Sequence, residues 1–196
     1  MTHHEATPIL DTAFSYYKKH KMSITELTKL GGSFEHWFST HFVRAMIEKG
    51  YLAVSETGYA DFGIDDGNGM PTKKRMDARV YDPSKSNIIA IEMVQIHNYT
   101  QNKWRKKIEA DIEKLAHLPK GVVKLLVIVR NSITEKVLAD ERNNADGWDW
   151  WFDEIEFREA KEIYRKSFSL GTQGEFALQA WDVGSVKPIL PRDAVF

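Results

Sequence analysis

The chain has 196 residues, of which 42% are hydrophobic and 28% charged, enough apolar surface for one compact domain with a sizeable core and too much for a disordered chain. Its net charge of −1 gives no global pull toward nucleic acid, and the lack of cysteine excludes disulfides and thiolate sites, leaving carboxylates and seven His as possible metal ligands. No stretch approaches the roughly 20 apolar residues of a membrane span, and "MTHHEATPIL" lacks the basic start and apolar core of a signal peptide, so a cytoplasmic protein is expected.

The first helix is predicted to start at Thr7 with Pro8 at its first position, and Ile9, Leu10, Ala13, Phe14 and Tyr17 share one face. A short second helix follows in "SITELTKLGG", where Ser23 and Glu26 have capping-box spacing and Gly31 closes the end. The third runs from Ser33 as cap to Lys49, with Gly50 as its stop. From Tyr51 the period shifts toward alternation, and "YLAVSETGYADF" reads as a strand bent around Gly58. "GIDDGNGMP" is a loop by composition; it lacks the acid spacing of an EF-hand.

Two strands come next, about Lys74 to Tyr81 and Ile88 to Ile96, joined by a hairpin at "DPSKSN". "IIAIEMVQI" is apolar on both faces apart from Glu92 and Gln95, which marks a central strand. A long amphipathic helix is expected over Thr100 to Leu118, with Trp104, Ile108, Ile112 and Leu115 at helical spacing. "VVKLLVIV" after it should return as a parallel strand by a right-handed crossover. In the last third, helical patterns fall near Ile133 to Asn143 and Trp150 to Ser167, with "NADGWD" between them. "EFALQAWDV" reads as a final strand at a sheet edge, and the tail with Pro188 and Pro191 as extended chain. Helices, a mixed central sheet, then helices make an α/β sandwich.

The chemistry-bearing residues are acids inside strands. Alternation puts Arg75, Asp77 and Arg79 on one face of their strand, a setting that also suits a half-exposed acid between two arginines. Glu92 lies inside nine mostly apolar residues, where an unpaired carboxylate would cost several kcal/mol; it needs a cation, a metal or a raised pKa. Glu35 sits at the start of the apolar stripe of the third helix, a position that also favours the helix dipole. Two strand acids and one helix acid at one end of a sheet are what a hard cation such as Mg²⁺ (or Mn²⁺) requires.

This order of elements, with "KKRMDARVYD", "IIAIEMVQ", a Lys-rich helix ending "DIEKL" and "VVKLLVIV", resembles the PD-(D/E)xK nuclease superfamily over about residues 33 to 130. The resemblance implies a restriction-endonuclease-like α/β sandwich, a single domain over 1–196 with an N-terminal helical addition (1–32), a core (33–130) and a C-terminal helical part with an edge strand (131–196). It implies Mg²⁺-dependent or Mn²⁺-dependent cleavage of DNA in restriction, repair or mobile-element functions. Asp77 and Glu92 would hold the metal, and Glu35 would assist.

The family lysine, two residues after the glutamate, is replaced here by Val94, which can neither stabilise developing charge nor orient water. Family members sometimes recruit that lysine from the next helix. "NKWRKKIEADIEKL" offers Lys103 and Lys106 for this role, and Lys107 beside them for phosphate contacts, although the run also reads as a solvated helix face. Lys73, Lys74 and Arg75 form a second basic cluster that could contact DNA phosphates. The alternatives are a nuclease fold that has lost its chemistry and serves as a nucleic-acid-binding or protein-interaction module, or an unrelated α/β interaction protein; the oligomeric state is open, a dimer among the options. His97, His36, His41 and the aromatic run at 147–152 are weaker candidates, each equally at home in packing.

Overall fold

The computed structural model describes residues 6–30, 33–65, 72–84, 87–96, 101–131 and 159–187, the side chains of 101–105 and 131 excepted. Its elements are α1 (Thr7–Lys19), α2 (Lys21–Leu30), α3 (Glu35–Glu48), β1 (Leu52–Gly58), a 3-10 turn (Tyr59–Phe62), β2 (Arg75–Asp82), β3 (Asn87–Ile96), α4 (Gln101–Ala116), β4 (Val122–Asn131), β5 (Lys161–Ser169) and β6 (Glu175–Asp182). The strands form one mixed sheet in the order β1-β2-β3-β4-β6-β5, in which β3 and β4 run parallel and all other neighbours antiparallel. The α4 crossover supplies the length that a parallel pair needs.

One sheet face is covered by α1 and α3. There Ile9, Leu10, Ala13, Tyr17, Phe38 and Phe42 pack onto Val80, Ile91, Val127, Phe176 and Leu178, each Val, Ile, Leu or Phe side chain contributing about 1.5–3 kcal/mol by burial. The first helix is thus part of the same core. The other face carries α4, whose Ile108, Ile112 and Leu115 meet Ala90, Val94, Leu126, Ile128 and Trp181. This is the α/β sandwich with a mixed central sheet that the pattern predicts.

Several local expectations need correction. The second helix begins at Lys21, so Ser23 lies inside it and caps nothing; α1 and α2 are separated by His20 alone, which leaves no room for a separate capping box. Ser33 does not cap α3 either: Phe34 is the N-cap, and its N–H donates to Gln95 Oε1 of β3, so a strand side chain does the work of a cap. Gly50 does end α3, with φ +93°.

The helical reading of Trp150 to Ser167 fails over 161–167, which belong to β5. A register shift between Glu162 and Tyr164 breaks the alternation, so the run does not show a clean strand period. Tyr164 and Phe168 turn to α1, where Tyr164 donates to Asp11 at 2.8 Å and Phe168 meets Phe14 edge-on. β6 is internal, between β4 and β5; the edge strand is β5, so the described residues 159–187 complete the sheet. The helix read near 133–143, the 147–152 aromatics, His97, most of the 63–71 loop and the tail beyond Lys187 lie outside the described residues. No helix among the described residues is long and apolar enough to cross a membrane.

Candidate functional site

The site forms where β2 leaves β3. Their ladder runs from Asp82 and Asn87 to Ala78 and Ile91 and stops, while β3 continues beside β4 to Ile96. Continuing that register one step sets Asp77 across from Glu92. Two N–H groups of β3 beyond the last pair take side-chain acceptors instead of a strand: Met93 donates to Asp77 Oδ2 at 2.6 Å, and Gln95 donates to Glu35 Oε2 at 3.4 Å. The acids of β2 and α3 therefore close the open flank of the central strand, as buried backbone donors require.

Glu92 is 1% exposed and points under α4. Tyr59 Oη donates to its Oε1 at 2.6 Å and Lys114 Nζ to the same oxygen at 2.9 Å. From α4, Lys107, Asp111 and Lys114 stand four and then three residues apart on the face that also carries the apolar contacts. Asp111, 2% exposed, bridges the two lysines, with Oδ1 2.6 Å from Lys114 and Oδ2 2.7 Å from Lys107. Lys107 reaches on to Glu35 Oε1 at 3.3 Å. Four carboxylates thus share two ammonium groups in a largely desolvated space, an excess of negative charge.

The electrostatics follow from that excess. Burial, with Asp111 and Asp77 nearby, outweighs Lys114 and the Tyr59 hydrogen bond and raises the Glu92 pKa to about 8, which favours the protonated carboxyl. Glu35 is raised too, first by burial and then by Asp77, against the pull of Lys107. Burial works against the ammonium of Lys114, but Glu92 and Asp111 outweigh it and its pKa rises; Lys107 is raised in the same way by Asp111 and Glu35. Burial and the adjoining carboxylate hold the Tyr59 phenol far above its usual range, so it acts as a donor only.

The three acids singled out from the sequence, Glu35, Asp77 and Glu92, are brought together. Of the helix lysines proposed as the missing cation, Lys106 is exposed and the Lys103 side chain is outside the described residues; the lysine that reaches the glutamate is Lys114. Lys107, expected on phosphates, is bound into the acid cluster instead. Val94 packs beneath α4 with Ile108 and Ile112, so the strand position that would carry a cation is core. Sequence reasoning missed Asp111, Lys114 and Tyr59. The signal for the first two was present as charges at helical spacing on the apolar side of α4; nothing local marks Tyr59.

Lys73, Lys74 and Arg75 do not join the cluster; they line a cleft beyond the 3-10 turn. His36 is exposed, and His41 stacks on Trp37 at 3.9 Å beside Tyr16, away from the acids. The donor chemistry suits a hard divalent ion: carboxylate oxygens in excess, and in Glu92 a second oxygen that neither Tyr59 nor Lys114 uses. Among the described residues, however, no three His, Asp or Glu side chains already surround one point closely enough to hold an ion; the lysines lie between them. No family model matches the chain, and neither a curated protein nor a solved structure does.

Proposed function

We propose that this chain is a divalent-metal-dependent phosphodiesterase of the PD-(D/E)xK type acting on DNA, with Asp77 and Glu92 as metal ligands. The observation that carries the reading is the convergence of acids from α3, β2 and β3 with a lysine that reaches Glu92 from α4, where the strand itself supplies only Val94. When bound, the ion would polarise a phosphoryl oxygen and lower the pKa of an attacking water. Lys114 then supplies the positive charge that stabilises the developing phosphorane oxygen, and Asp111 aims it. Glu92 must lose its proton to serve as a ligand, so ion binding near neutral pH releases a proton. Glu35 holds Lys107 and the end of β3 in place.

Calorimetry with Mn²⁺ in buffers of different ionisation heat, beside cleavage assays on duplex and branched DNA with Mg²⁺ or Mn²⁺, tests this. The expected result is a binding heat that depends on the buffer, and cleavage abolished in Asp77→Asn, Glu92→Gln and Lys114→Met. A wild-type protein that takes up no Mn²⁺ and leaves DNA intact overturns it.

The second reading is a nuclease-like fold that binds without cutting. Lys107 and Lys114 already sit among the carboxylates as counter-ions, which would make the cluster a clasp fixing α4 to the sheet.

A further inference from the structure

Tyr59 turns inward to Glu92, but its neighbours Gly58, Ala60 and Asp61 form one wall of a cleft of about 710 Å³ on the outer side of the 3-10 turn. Among the described residues, Lys73, Lys74, Arg75 and Arg79 line this cleft against two carboxylates, Glu56 and Asp61, so it is basic in a chain whose net charge is −1. Arg75 and Arg79 stand two residues to either side of Asp77 on the same strand face, so the cleft opens beside the acid cluster.

Three features mark it as more than a solvated lysine run. First, neither arginine is locked: Arg75 donates to the Glu56 carbonyl at 3.2 Å, and Arg79 lies 3.8 Å from Asp61 with its guanidinium over Phe62. Second, Glu56 has φ +55°, a strained conformation for a residue with a side chain, and the β1–β2 pairing skips from Ser55 to Thr57 at this point. Third, the Thr57 hydroxyl is buried and has no hydrogen-bond partner among the described residues, yet Thr57 lines the cleft. An orphan buried hydroxyl costs about 1–3 kcal/mol, which a ligand oxygen can recover.

We propose that this cleft is an anion-binding groove that holds the phosphodiester backbone of a nucleic-acid strand, with Arg75 and Arg79 on phosphates flanking Asp77, Lys73 and Lys74 extending the track, and Thr57 donating to a phosphate oxygen. Four residues apart on one β-strand face, the two guanidiniums stem from positions about 13 Å apart, a span that suits two phosphates with one between them rather than adjacent ones. Asp61 and Glu56 restrain the arginines until phosphate replaces them. The assignment rests on the phosphodiesterase reading and names where its substrate's backbone lies.

The test is fluorescence anisotropy of a labelled oligonucleotide with the full-length protein in EDTA, so that binding is read without a metal ion or cleavage. The expected result is salt-dependent binding in which Arg75→Gln, Arg79→Gln and the pair K73Q/K74Q weaken affinity and flatten the slope of log K against log salt by about 0.7–0.9 per phosphate contact removed. Asp61→Asn tightens binding several-fold. Thr57→Val weakens it about tenfold while melting no earlier than wild type, since it removes an unsatisfied hydroxyl. The pair K18Q/K19Q at the exposed end of α1, outside the cleft lining, leaves affinity unchanged.

Absence of salt-dependent binding, an equal loss in K18Q/K19Q, or equal binding of polyglutamate overturns the proposal. Binding through these residues without cleavage in Mg²⁺ supports the groove and sinks the enzyme reading; cleavage indifferent to them sinks the groove alone.

Discussion

Replacing Glu92 by Gln separates charge from shape at the centre of the cluster. In the wild type the carboxyl pKa rises from 4.5 in the unfolded chain to about 8 in the fold, so between those values the folded state binds more protons than the unfolded one. The stability this group contributes is complete below pH 4.5 and is lost as pH climbs through about 8. At about 1.4 kcal/mol per pH unit the whole window is worth roughly 5 kcal/mol, a ceiling that rearrangement of Lys107 and Lys114 around Asp111 lowers to roughly 2–4 kcal/mol. Gln keeps an oxygen for Tyr59 and Lys114 and has nothing to ionise. Urea unfolding of both proteins near pH 5 and near pH 9 should therefore show wild type losing stability relative to Glu92→Gln by that amount on going alkaline. A difference that is flat with pH, or that grows in favour of wild type, refutes the claim that Glu92 is protonated in the neutral fold.

Lys114→Met leaves buried Glu92 and Asp111 with one cation fewer and should cost about 3 kcal/mol near pH 7, with the double variant E92Q/K114M recovering part of the loss in a double-mutant cycle by chemical denaturation. Tyr17→Phe removes a buried hydrogen bond of 2.7 Å to the Phe38 carbonyl and should cost about 1–1.5 kcal/mol in thermal melts. Phe176→Ala opens a cavity among Tyr17, Phe38 and Phe168 and should cost about 3–5 kcal/mol by the same measurement.

The sheet centre was legible because hydrophobic period and length agree there: β3 and β4 are apolar on both faces, and α4 between them carries Ile108, Ile112 and Leu115 at helical spacing. Of the C-terminal strands, β6 was legible as a strand but not in its place, since a local pattern cannot say that it will insert between β4 and β5; β5 was not legible, because the register shift at Glu162 and Tyr164 mixes charges with the aromatics that face α1. Glu35, Asp77 and Glu92 stood out as acids in apolar contexts. Their partners did not, since the lysine completing the site comes from the last turn of α4, and only the crossover geometry brings Lys114 over Glu92 while Lys106 faces solvent.

Whether the cluster exists for stability or for chemistry can be decided by removing it as a unit. Apolar contacts of α4 with Val94, Leu126, Ile128 and Trp181 already fix the helix to the sheet, and buried ion pairs usually gain little over apolar residues of similar volume because desolvation consumes their attraction. A cluster with more acids than lysines is worse placed than an ordinary pair, as the raised pKa of Glu92 indicates. The triple variant E92M/D111L/K114M should accordingly be as stable as wild type or more stable by about 1–4 kcal/mol in urea at pH 7, while losing Mn²⁺ binding. A loss of several kcal/mol instead would make the cluster a structural clasp and the binding module the better reading; retained stability with lost Mn²⁺ uptake would mean that the excess carboxylates are kept, at a cost to the fold, for an ion.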